Sequence, residues 1–263
     1  MTGPSRNGAV IAVQGLAGGT GSTTFATNLA YELASLQKSE RPMVCLLDFD
    51  FQIGSVATYL DLNRHDTIGE LLADTEALDE DSFVSALQVI DDKLSVMTSP
   101  ADIIPLDLVT PEDVQRVIDM ARHKYDYVLI DMPTTLVQWT ETVLTNAHIF
   151  FAVIEMDMRS AQNALRLKRA LQADSLPFEK LRFVMNRAPK FTDMNGKARV
   201  KRLAESLGVE INVNLPDGGR AVRDSGDHGL PLADTAAKNP LRKEISKIAK
   251  EIDTLAQADE EAA

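Results

Sequence analysis

The chain has 263 residues, of which 44% are hydrophobic, and this is enough to bury the core of one large α/β domain. Its formal net charge of −12 argues against binding nucleic acid or anionic membranes over the whole surface, because both would be repelled. The single cysteine, Cys45, lies in an apolar run, so the chain forms no internal disulfide and suits a reducing compartment.

The N-terminal stretch 1-MTGPSRNGAVIAVQGLAGG-19 lacks the features of a secretory signal, since it has one arginine and only a short apolar run before the glycines. No run in the chain approaches the roughly 18 apolar residues of a membrane span. We therefore expect a cytoplasmic protein with no stable membrane insertion. We expect one domain over residues 1–257, followed by a small acidic tail, 258–263, that frays.

Short apolar runs alternate with longer amphipathic stretches along the chain. Several runs are apolar at consecutive positions, which indicates strands covered on both faces, as in a parallel sheet. The predicted strands span residues 10–13, 43–47, 94–97, 127–130, 149–154, 183–185 and 213–215. The predicted helices span residues 23–38, 111–124, 158–173, 197–208 and 241–257. This alternation predicts a doubly wound α/β fold with a mostly parallel sheet.

The stretch 15-GLAGGTGSTT-24 joins the first predicted strand to the first predicted helix. Its glycines would let the backbone approach an anion and direct N–H groups at it, and the helix N-terminus adds a partial positive charge. The stretch therefore predicts a phosphate-binding loop, although a plain glycine-rich turn is the alternative. The residues assigned to nucleotide binding in this loop are Gly18, Gly19, Thr20, Gly21, Ser22, Thr23 and Thr24.

Three aspartates follow predicted strands at the point where ligands bind in such sheets. Asp48 and Asp50 follow the second strand, and Asp131 follows the fourth. A charged side chain at the end of an apolar strand is costly in free energy unless a cation or hydrogen bonds stabilise it. In P-loop proteins this stabilising cation is usually a magnesium ion, held by a threonine or serine of the loop and by a strand-end aspartate. We therefore predict Mg²⁺ bound by Thr23, Asp48 and Asp131. Helix caps or solvated strand-end acids are the alternative.

The segment 17-AGGTGSTT-24 resembles, without gaps, the loop K-G-G-x-G-K-[ST]-[ST] of the ParA/MinD group of deviant P-loop ATPases. The resemblance covers nearly the whole chain: 46-LLDFD-50 is similar to the family's switch I acids, and 130-IDMP-133 to its Walker B and switch II segments. It implies ATP and Mg²⁺ as cofactors and a homodimer formed around nucleotide. It also implies a catalytic role for Asp50, which would orient the attacking water.

Two later segments resemble the base-binding part of the family. The segment 184-VMNR-187 is similar to the one whose asparagine reads the adenine edge, and 215-LPDGGRAVRDSGDHGLPL-232 to the closing stretch that borders the base. The resemblance therefore implies nucleotide contacts by Asn186, Arg187, Pro216 and Asp217.

Within the group, the chain most resembles the CpaE/TadZ pilus-assembly subfamily. The resemblance rests on 46-LLDFDFQIGSVATYLDL-62, on Trp139 with Val143 and Leu144, and on the lysine-poor loop. Members often carry an N-terminal receiver-like domain, whereas this sequence begins directly at its first predicted strand. The resemblance implies a localisation or scaffold factor for Flp-type (type IVb, Tad) pilus assembly. Pilus-assembly proteins would then be its partners and would bring it to the cell pole or the inner face of the membrane.

The chain departs from the family at its cations. Ala17 stands where the signature lysine reaches across the dimer to the partner's phosphates, Ser22 stands at the Walker lysine, and Leu16 replaces the first Walker glycine. Transition-state charge on a transferred phosphoryl group is normally met by cations, so we predict nucleotide binding with weak or absent hydrolysis. Arg220 or Arg223 is a candidate substitute, but surface arginines on a short helix are the favoured interpretation. An active ATPase cycling on DNA or membrane, and a nucleotide-free scaffold, are the rival hypotheses.

Three further features carry less functional weight. The four histidines show no metal-ligand spacing with one another or with Cys45. The cationic segment 197-KARVKR-202 is interpreted as a solvated helix face rather than a contact with DNA phosphates, so no nucleic-acid partner is expected. The apolar stripe of the last helix is interpreted as the face that docks on the sheet, rather than as a membrane-binding face.

Overall fold

The computed structural model describes residues 6–37, 41–190 and 192–262, with side chains described as far as residue 258. Its strands are β1 (Ala9–Gly15), β2 (Val44–Asp48), β3 (Gln88–Ile90), β4 (Leu94–Met97), β5 (Tyr127–Met132), β6 (Ile149–Ile154), β7 (Leu181–Ala188) and β8 (Ile211–Pro216). They form one sheet in the order β3-β4-β2-β5-β1-β6-β7-β8, in which only the β3–β4 pair is antiparallel. The predicted doubly wound, mostly parallel α/β fold is confirmed.

Helices cover both faces of this sheet. They are α1 (Ser22–Ala34), α2 (Val56–Tyr59), α3 (Asp66–Ala73), α4 (Glu80–Ala86), α5 (Pro111–Lys124), α6 (Thr140–Asn146), α7 (Met158–Ala173), α8 (Met194–Leu207), α9 (Arg220–Asp227), α10 (Leu232–Thr235) and α11 (Pro240–Ala262). One apolar cluster packs α3 to α8 on one face, and a second packs α1, α2 and α9 to α11 on the other. The strands between are therefore buried from both sides, as their continuous apolar runs predict.

Helix boundaries follow the local signals in the sequence. The side chain of Thr110 accepts a hydrogen bond from the Asp113 N–H and forms a capping box with it, and α5 begins at Pro111 as predicted. Helix α8 ends at Leu207 and is capped by Gly208, the predicted last residue, which has the left-handed φ of 59° that favours glycine. Helix α1 ends at Ala34, before the predicted end at residue 38, which lies outside the described residues.

The short elements escaped prediction. Strand β3 and helices α2, α3, α4, α6 and α10 span only three to eight residues each, too few for an apolar periodicity to show, whereas α9 is the short helix expected for Arg220 and Arg223. Several of them lie in the segments that follow β2 and β5, where they shape the edge of the sheet described below. The two long segments 158–173 and 111–124 have the predicted bounds.

The apolar stripe of α11 docks on the sheet, as predicted. Leu241, Ile245, Ile248 and Ile252 are buried in the cluster that also holds α1, whereas Leu255 is exposed. The backbone stays helical to Ala262, beyond the expected domain end at residue 257, and fraying of the tail remains a prediction. Within the described ranges, no helix is long and apolar enough to cross a membrane.

Candidate nucleotide-binding site

The predicted phosphate-binding loop lies at the carboxyl end of β1, the fifth strand across the sheet. It turns with Gly19 and Gly21 at φ values of 81° and 83°, which glycine adopts without strain, and α1 begins directly afterwards at Ser22. A Cβ added at Gly18 or Gly19 would meet no atom within 4 Å. This side of the loop therefore faces open space in front of a helix N-terminus, the arrangement that binds anions.

The inner side of the same loop is tightly packed. A Cβ on Gly15 would lie 2.6 Å from Thr20 Oγ1 and 2.8 Å from Ser22 Oγ, so both hydroxyls turn back towards the end of β1. Thr20 is buried, and its hydroxyl has no hydrogen-bond partner among the described residues. The short side chain at position 22 thus packs under the loop instead of extending along it, as a lysine at this position would.

Thr23 and Asp131 meet directly. Thr23 Oγ1 donates a hydrogen bond of 2.7 Å to Asp131 Oδ2, which joins the first turn of α1 to the end of β5. The second oxygen, Asp131 Oδ1, is buried with no hydrogen-bond partner in the described part of the chain. Hydroxyl and carboxylate oxygens are the ligands that Mg²⁺ prefers, usually with only one or two carboxylates. The pair therefore fits a magnesium ion, and Asp131 Oδ1 is the oxygen that is available to coordinate it.

Asp48 lies beside Asp131 in the register of β2 and β5, but its oxygens serve a different purpose. Asp48 accepts hydrogen bonds from the N–H groups of Asp50, at 3.1 Å, and Val56, at 3.2 Å. A Cβ on Gly54 would lie 2.5 Å from both carboxylate oxygens, so only glycine fits there. Asp48 thus organises the turn that follows β2, while its predicted contact with the metal remains a prediction.

The two buried acids hold their protons more tightly than ordinary aspartates. Burial raises the pKa of Asp48 to about 7, against the opposing hydrogen bonds from Val56 and Asp50. Burial, and then the negative charge of Asp48, raise the pKa of Asp131 well above its usual range, while the hydrogen bond from Thr23 opposes this. A cation beside these carboxylates would stabilise their charged forms.

Asp50 is held at the edge of the sheet by two buried phenylalanines. Phe49 and Phe51 flank it and both pack on Trp139, with ring centroids 5.6 Å and 5.8 Å from the indole. The carboxylate of Asp50 also accepts a hydrogen bond of 3.1 Å from the Ile53 N–H, which closes the turn. The position of the predicted catalytic acid is therefore fixed by aromatic packing, and Trp139 is the residue whose part in the site the sequence did not reveal.

A cavity of about 340 Å³ opens beside the loop, on the side of the loop that faces away from Asp131. Its polar lining comes from Gly21, Thr24, Asn186, Asp217 and two arginines, Arg187 and Arg223. Its apolar lining comes from Phe25, Leu215, Val222, Leu241 and Ile245. Cavities with an apolar lining and a few polar groups are typical of sites for small molecules and cofactors.

Only some of the residues predicted to contact the base line this cavity. Asn186 Nδ2 donates to Thr20 O at 2.7 Å, so this side chain bridges the cavity and the phosphate loop. Asp217 Oδ1 accepts from the Gly219 N–H at 2.8 Å and shapes the cavity wall. Pro216, by contrast, lines a separate groove between α8 and β8 and does not line this cavity.

The two arginines considered as substitutes for the missing lysines lie in different places. Arg220 is exposed and pairs with Asp224 one turn away, at 3.3 Å, whereas Arg223 lines the base-side cavity. Arg187 lines the cavity too and pairs with Glu155. Arg64, which the sequence did not single out, donates to Gly54 O, and its positive charge weakly opposes the rise that burial causes in the pKa of Asp48.

Another residue missed at the sequence level is Asn163, on α7. Its Nδ2 donates a hydrogen bond of 2.6 Å to Leu16 O, while the Leu16 N–H donates to Val153 O at 3.0 Å. Both polar groups of the first loop residue are thus held, so its carbonyl points at α7 rather than at the phosphate space. Nothing in the local sequence around Asn163 signals this contact, which joins residues 147 positions apart.

Comparison with known proteins agrees with this fold. Residues 8–173 match the family model described as AAA domain, so the chain belongs to this family. The septum site-determining protein MinD of Synechocystis is 28% identical over 85% of this chain and 81% of its own length. The chain thus belongs among the ParA/MinD-type P-loop ATPases. The CpaE/TadZ subfamily is not distinguished by these matches.

Two solved structures share the fold. A ParA family ATPase from Chlorobium tepidum superposes with a TM-score of 0.81 at 22% identity, over 92% of this chain and 98% of that one. The septum site-determining protein MinD of Pyrococcus horikoshii, solved as a complex with Mg-ADP, superposes with a TM-score of 0.74 at 20% identity, over 95% and 97%. At these identities the likeness shows the fold alone.

Proposed function

We propose that this chain binds ATP with Mg²⁺ loosely, hydrolyses it slowly or not at all, and acts as a MinD-like localisation or scaffold factor for Flp pilus assembly. The observation that carries the nucleotide part is the Thr23–Asp131 pair, with its partnerless buried Asp131 Oδ1, beside an open glycine loop. The loop from Gly15 to Thr24 contains no lysine or arginine. Binding would therefore depend on backbone N–H groups, the helix N-terminus and the metal ion.

Magnesium fits this proposal chemically. When bound, the ion would neutralise charge on the β- and γ-phosphates. The Thr23 hydroxyl and Asp131 would hold it, and Asp48 would keep the neighbouring turn in place through its bonds to Asp50 and Val56. The base would occupy the cavity between Gly21, Asn186 and Asp217.

An active ParA/MinD-type ATPase that cycles on DNA or membrane is the second candidate function, and the family membership is equally compatible with it. The observation that favours it is the fixed position of Asp50, since a merely relic site has no need of an acid held between Phe49, Phe51 and Trp139. The experiment that separates the two is nucleotide analysis of freshly purified protein with and without magnesium, followed by phosphate release. Bound or titratable ATP without turnover supports the scaffold. Steady magnesium-dependent phosphate release supports the ATPase, and no nucleotide binding at all refutes both.

The pilus role is supported by the resemblance of segment 46–62 and of Trp139 with Val143 and Leu144 to the CpaE/TadZ subfamily. These parts pack together, because Phe49 and Phe51 contact Trp139 and all three lie in one apolar cluster with Val143. The test is co-purification of the tagged chain with the pilus-assembly proteins of its own cell, with and without ATP. Recovery of chromosome-partition or division proteins instead would contradict the assignment.

A further inference from the structure

The last strand of the sheet, β8, has one edge that no strand covers. It pairs with β7 on one side and ends the strand order, so within the described ranges no strand lies along its other side. Open edges are templates for pairing with another chain, and most proteins block them with a lysine, a proline or a very short strand. The opposite end of this sheet is blocked in that way, because β3 has only three residues. Strand β8 has six residues, INVNLP, with no charged side chain and with its proline in the last position.

A groove of about 800 Å³ runs along this open edge, between α8 on one face of the sheet and α11 on the other. Its apolar lining consists of Pro189, Val200, Ala204, Val209, Ile211 and Pro216. The exposed side chain of Asn214 lines it from the strand. Two register shifts interrupt the pairing of β8 with β7, but Val213 and Asn214 pair regularly between them. The middle of β8 is therefore regular strand beside an apolar groove.

The charges along the groove follow a definite order. The α8 side is a stripe at helical spacing, and Glu210 follows it just before β8; the stripe is Lys197, Val200, Lys201, Ala204 and Glu205. Because α8 joins the end of β7 to the start of β8, the lysines lie nearer the carboxyl edge of the sheet and the glutamates nearer the amino edge. Lys201 and Glu205 are 78% and 62% exposed and lie 3.9 Å apart, at the limit of an ion pair, so both can reach a partner.

This order of charges is complementary to itself. A two-fold axis along the sheet normal beside β8 sets the strand antiparallel to its copy and keeps both α8 helices on the same face. The lysines of each copy then face the glutamates of the other, whereas a parallel arrangement would set lysine against lysine. With strands about 5 Å apart, two helices that each lie over β7 and β8 come about 10 Å apart, which is a normal packing distance. Glu244, on the α11 side, is already paired with Lys247 at 3.4 Å.

We propose that the open edge of β8 binds β8 of a second copy of this chain, antiparallel, with the two α8 helices side by side and Lys201 of each copy facing Glu205 of the other. The contact is isologous, because the same groove serves both copies. It lies three strands along the sheet from β1 and the phosphate loop, so it needs neither nucleotide nor magnesium. It is therefore separate from the nucleotide-linked dimer that the resemblance to the ParA/MinD group implies, and it lets the chain associate with itself in any nucleotide state.

The test is sedimentation equilibrium of nucleotide-free protein in EDTA, at low and at high salt. One variant carries Lys201→Glu and another carries Glu205→Lys, so that like charges face each other in the dimer of either variant. The control is Arg202→Glu, which lies on the same helix and changes the net charge as Lys201→Glu does, but does not line the groove. All three side chains are exposed on α8, so the variants are expected to fold, and circular dichroism checks this.

The unmodified chain is expected to dimerise, and less tightly as salt rises, because exposed charges pair across the contact. Lys201→Glu and Glu205→Lys are each expected to dimerise at least about tenfold more weakly, whereas Arg202→Glu is expected to match the unmodified chain. An equimolar mixture of the two weakened variants is expected to recover the dimer, because lysines then face glutamates at both contacts. A mixture as weak as its components, or equal weakening by Arg202→Glu, overturns the proposal. So does an unmodified chain that is monomeric or that dimerises only with ATP–Mg²⁺.

A variant of the strand itself tests the pairing of β8. Asn214→Lys puts a lysine on the open edge and is expected to abolish the dimer, as lysines on natural edge strands prevent pairing. Asn214→Gln, which keeps an uncharged amide, is the matched control and is expected to dimerise like the unmodified chain. A dimer that Asn214→Lys leaves unchanged overturns the proposal. A monomeric chain that co-purifies with a different protein, and loses it on Asn214→Lys, would assign the edge to a strand of that protein and overturn the proposal as well.

Discussion

The hydroxyl of Thr23 donates a 2.7 Å hydrogen bond to Asp131, so the first turn of the helix after the phosphate loop is tied to the end of the neighbouring strand. The two residues are 108 positions apart in sequence. The contact leaves one buried carboxylate oxygen, Asp131 Oδ1, without a hydrogen-bond partner in the described chain. A buried anion in that state is costly, which is the physical reason to expect a cation beside it.

Thr23→Ala is expected to weaken ATP–Mg²⁺ binding more than binding of metal-free ATP, because it removes an oxygen ligand of the ion and leaves the loop N–H groups in place. Thr23→Ser, which keeps the hydroxyl, is the matched control and is expected to stay close to the unmodified chain. Calorimetric titrations with magnesium and with EDTA measure both. Equal losses under the two conditions would remove Thr23 from the metal site.

Ser22→Lys is expected to tighten ATP binding about ten- to a hundredfold, because a lysine on a phosphate makes a charge-assisted contact. Adding Ala17→Lys is expected to raise turnover, since the cations act mainly on charge that develops in the transition state. The gain in turnover is expected to vanish when Asp50→Ala is added. Calorimetry and phosphate release measure the two effects.

The unmodified chain is expected to release phosphate at a rate near background, because it has no lysine at position 17 or 22 to stabilise the charge that develops in the transition state. Brisk, magnesium-dependent hydrolysis that is abolished by Asp50→Ala would show that another cation has replaced the lysines. Arg64, next to the turn that Asp48 holds, and Arg223, on the cavity wall, would then be the residues to substitute next.

The stability of the metal-free chain is expected to fall as pH rises. The folded-state pKa of Asp48, about 7, lies above the ordinary aspartate value, so the folded state binds more protons than the unfolded state between the two. The free energy of unfolding should therefore decrease from the ordinary carboxyl range up through pH 7, by up to about 1.4 kcal/mol per pH unit for each retained proton.

Denaturant unfolding in EDTA at several pH values measures this slope. Asp48→Asn is expected to flatten it, whereas Asp107→Asn, at an exposed position, is expected to leave it unchanged. The same slope in all three proteins would show that Asp48 is ionised in the folded state at lower pH than its burial implies.

Trp139→Ala is expected to lower the free energy of unfolding by about 3–5 kcal/mol, because it opens a cavity under two buried phenylalanines. Trp139→Phe should cost less, since an aromatic ring remains against Phe49 and Phe51. Leu255→Ala, at an exposed position on α11, should change stability by no more than about 0.5 kcal/mol. Urea unfolding followed by circular dichroism compares them, and a loss for Trp139→Ala as small as that for Leu255→Ala would contradict the packing described here.

The sequence by itself determined the fold class, the loop and the strand-end acids. Consecutive apolar positions mark strands buried on both faces, and local caps such as Thr110 and Gly208 fix helix ends within a few residues. Because parallel strands end at the same edge, the alternation of elements predicts that Asp48 and Asp131 lie at that edge, and the pairing of β2 with β5 then sets them side by side.

Only the tertiary structure decided which contacts those residues make. Asp48 bonds to backbone N–H groups of its own turn, Pro216 turns away to another groove, and Trp139 fixes the segment around Asp50. The bond from Asn163 to the loop joins residues far apart in the chain. Sequence patterns report periodicity and local backbone preference, whereas these contacts depend on the direction of side chains and on which strands become neighbours, and both are set when the whole sheet assembles.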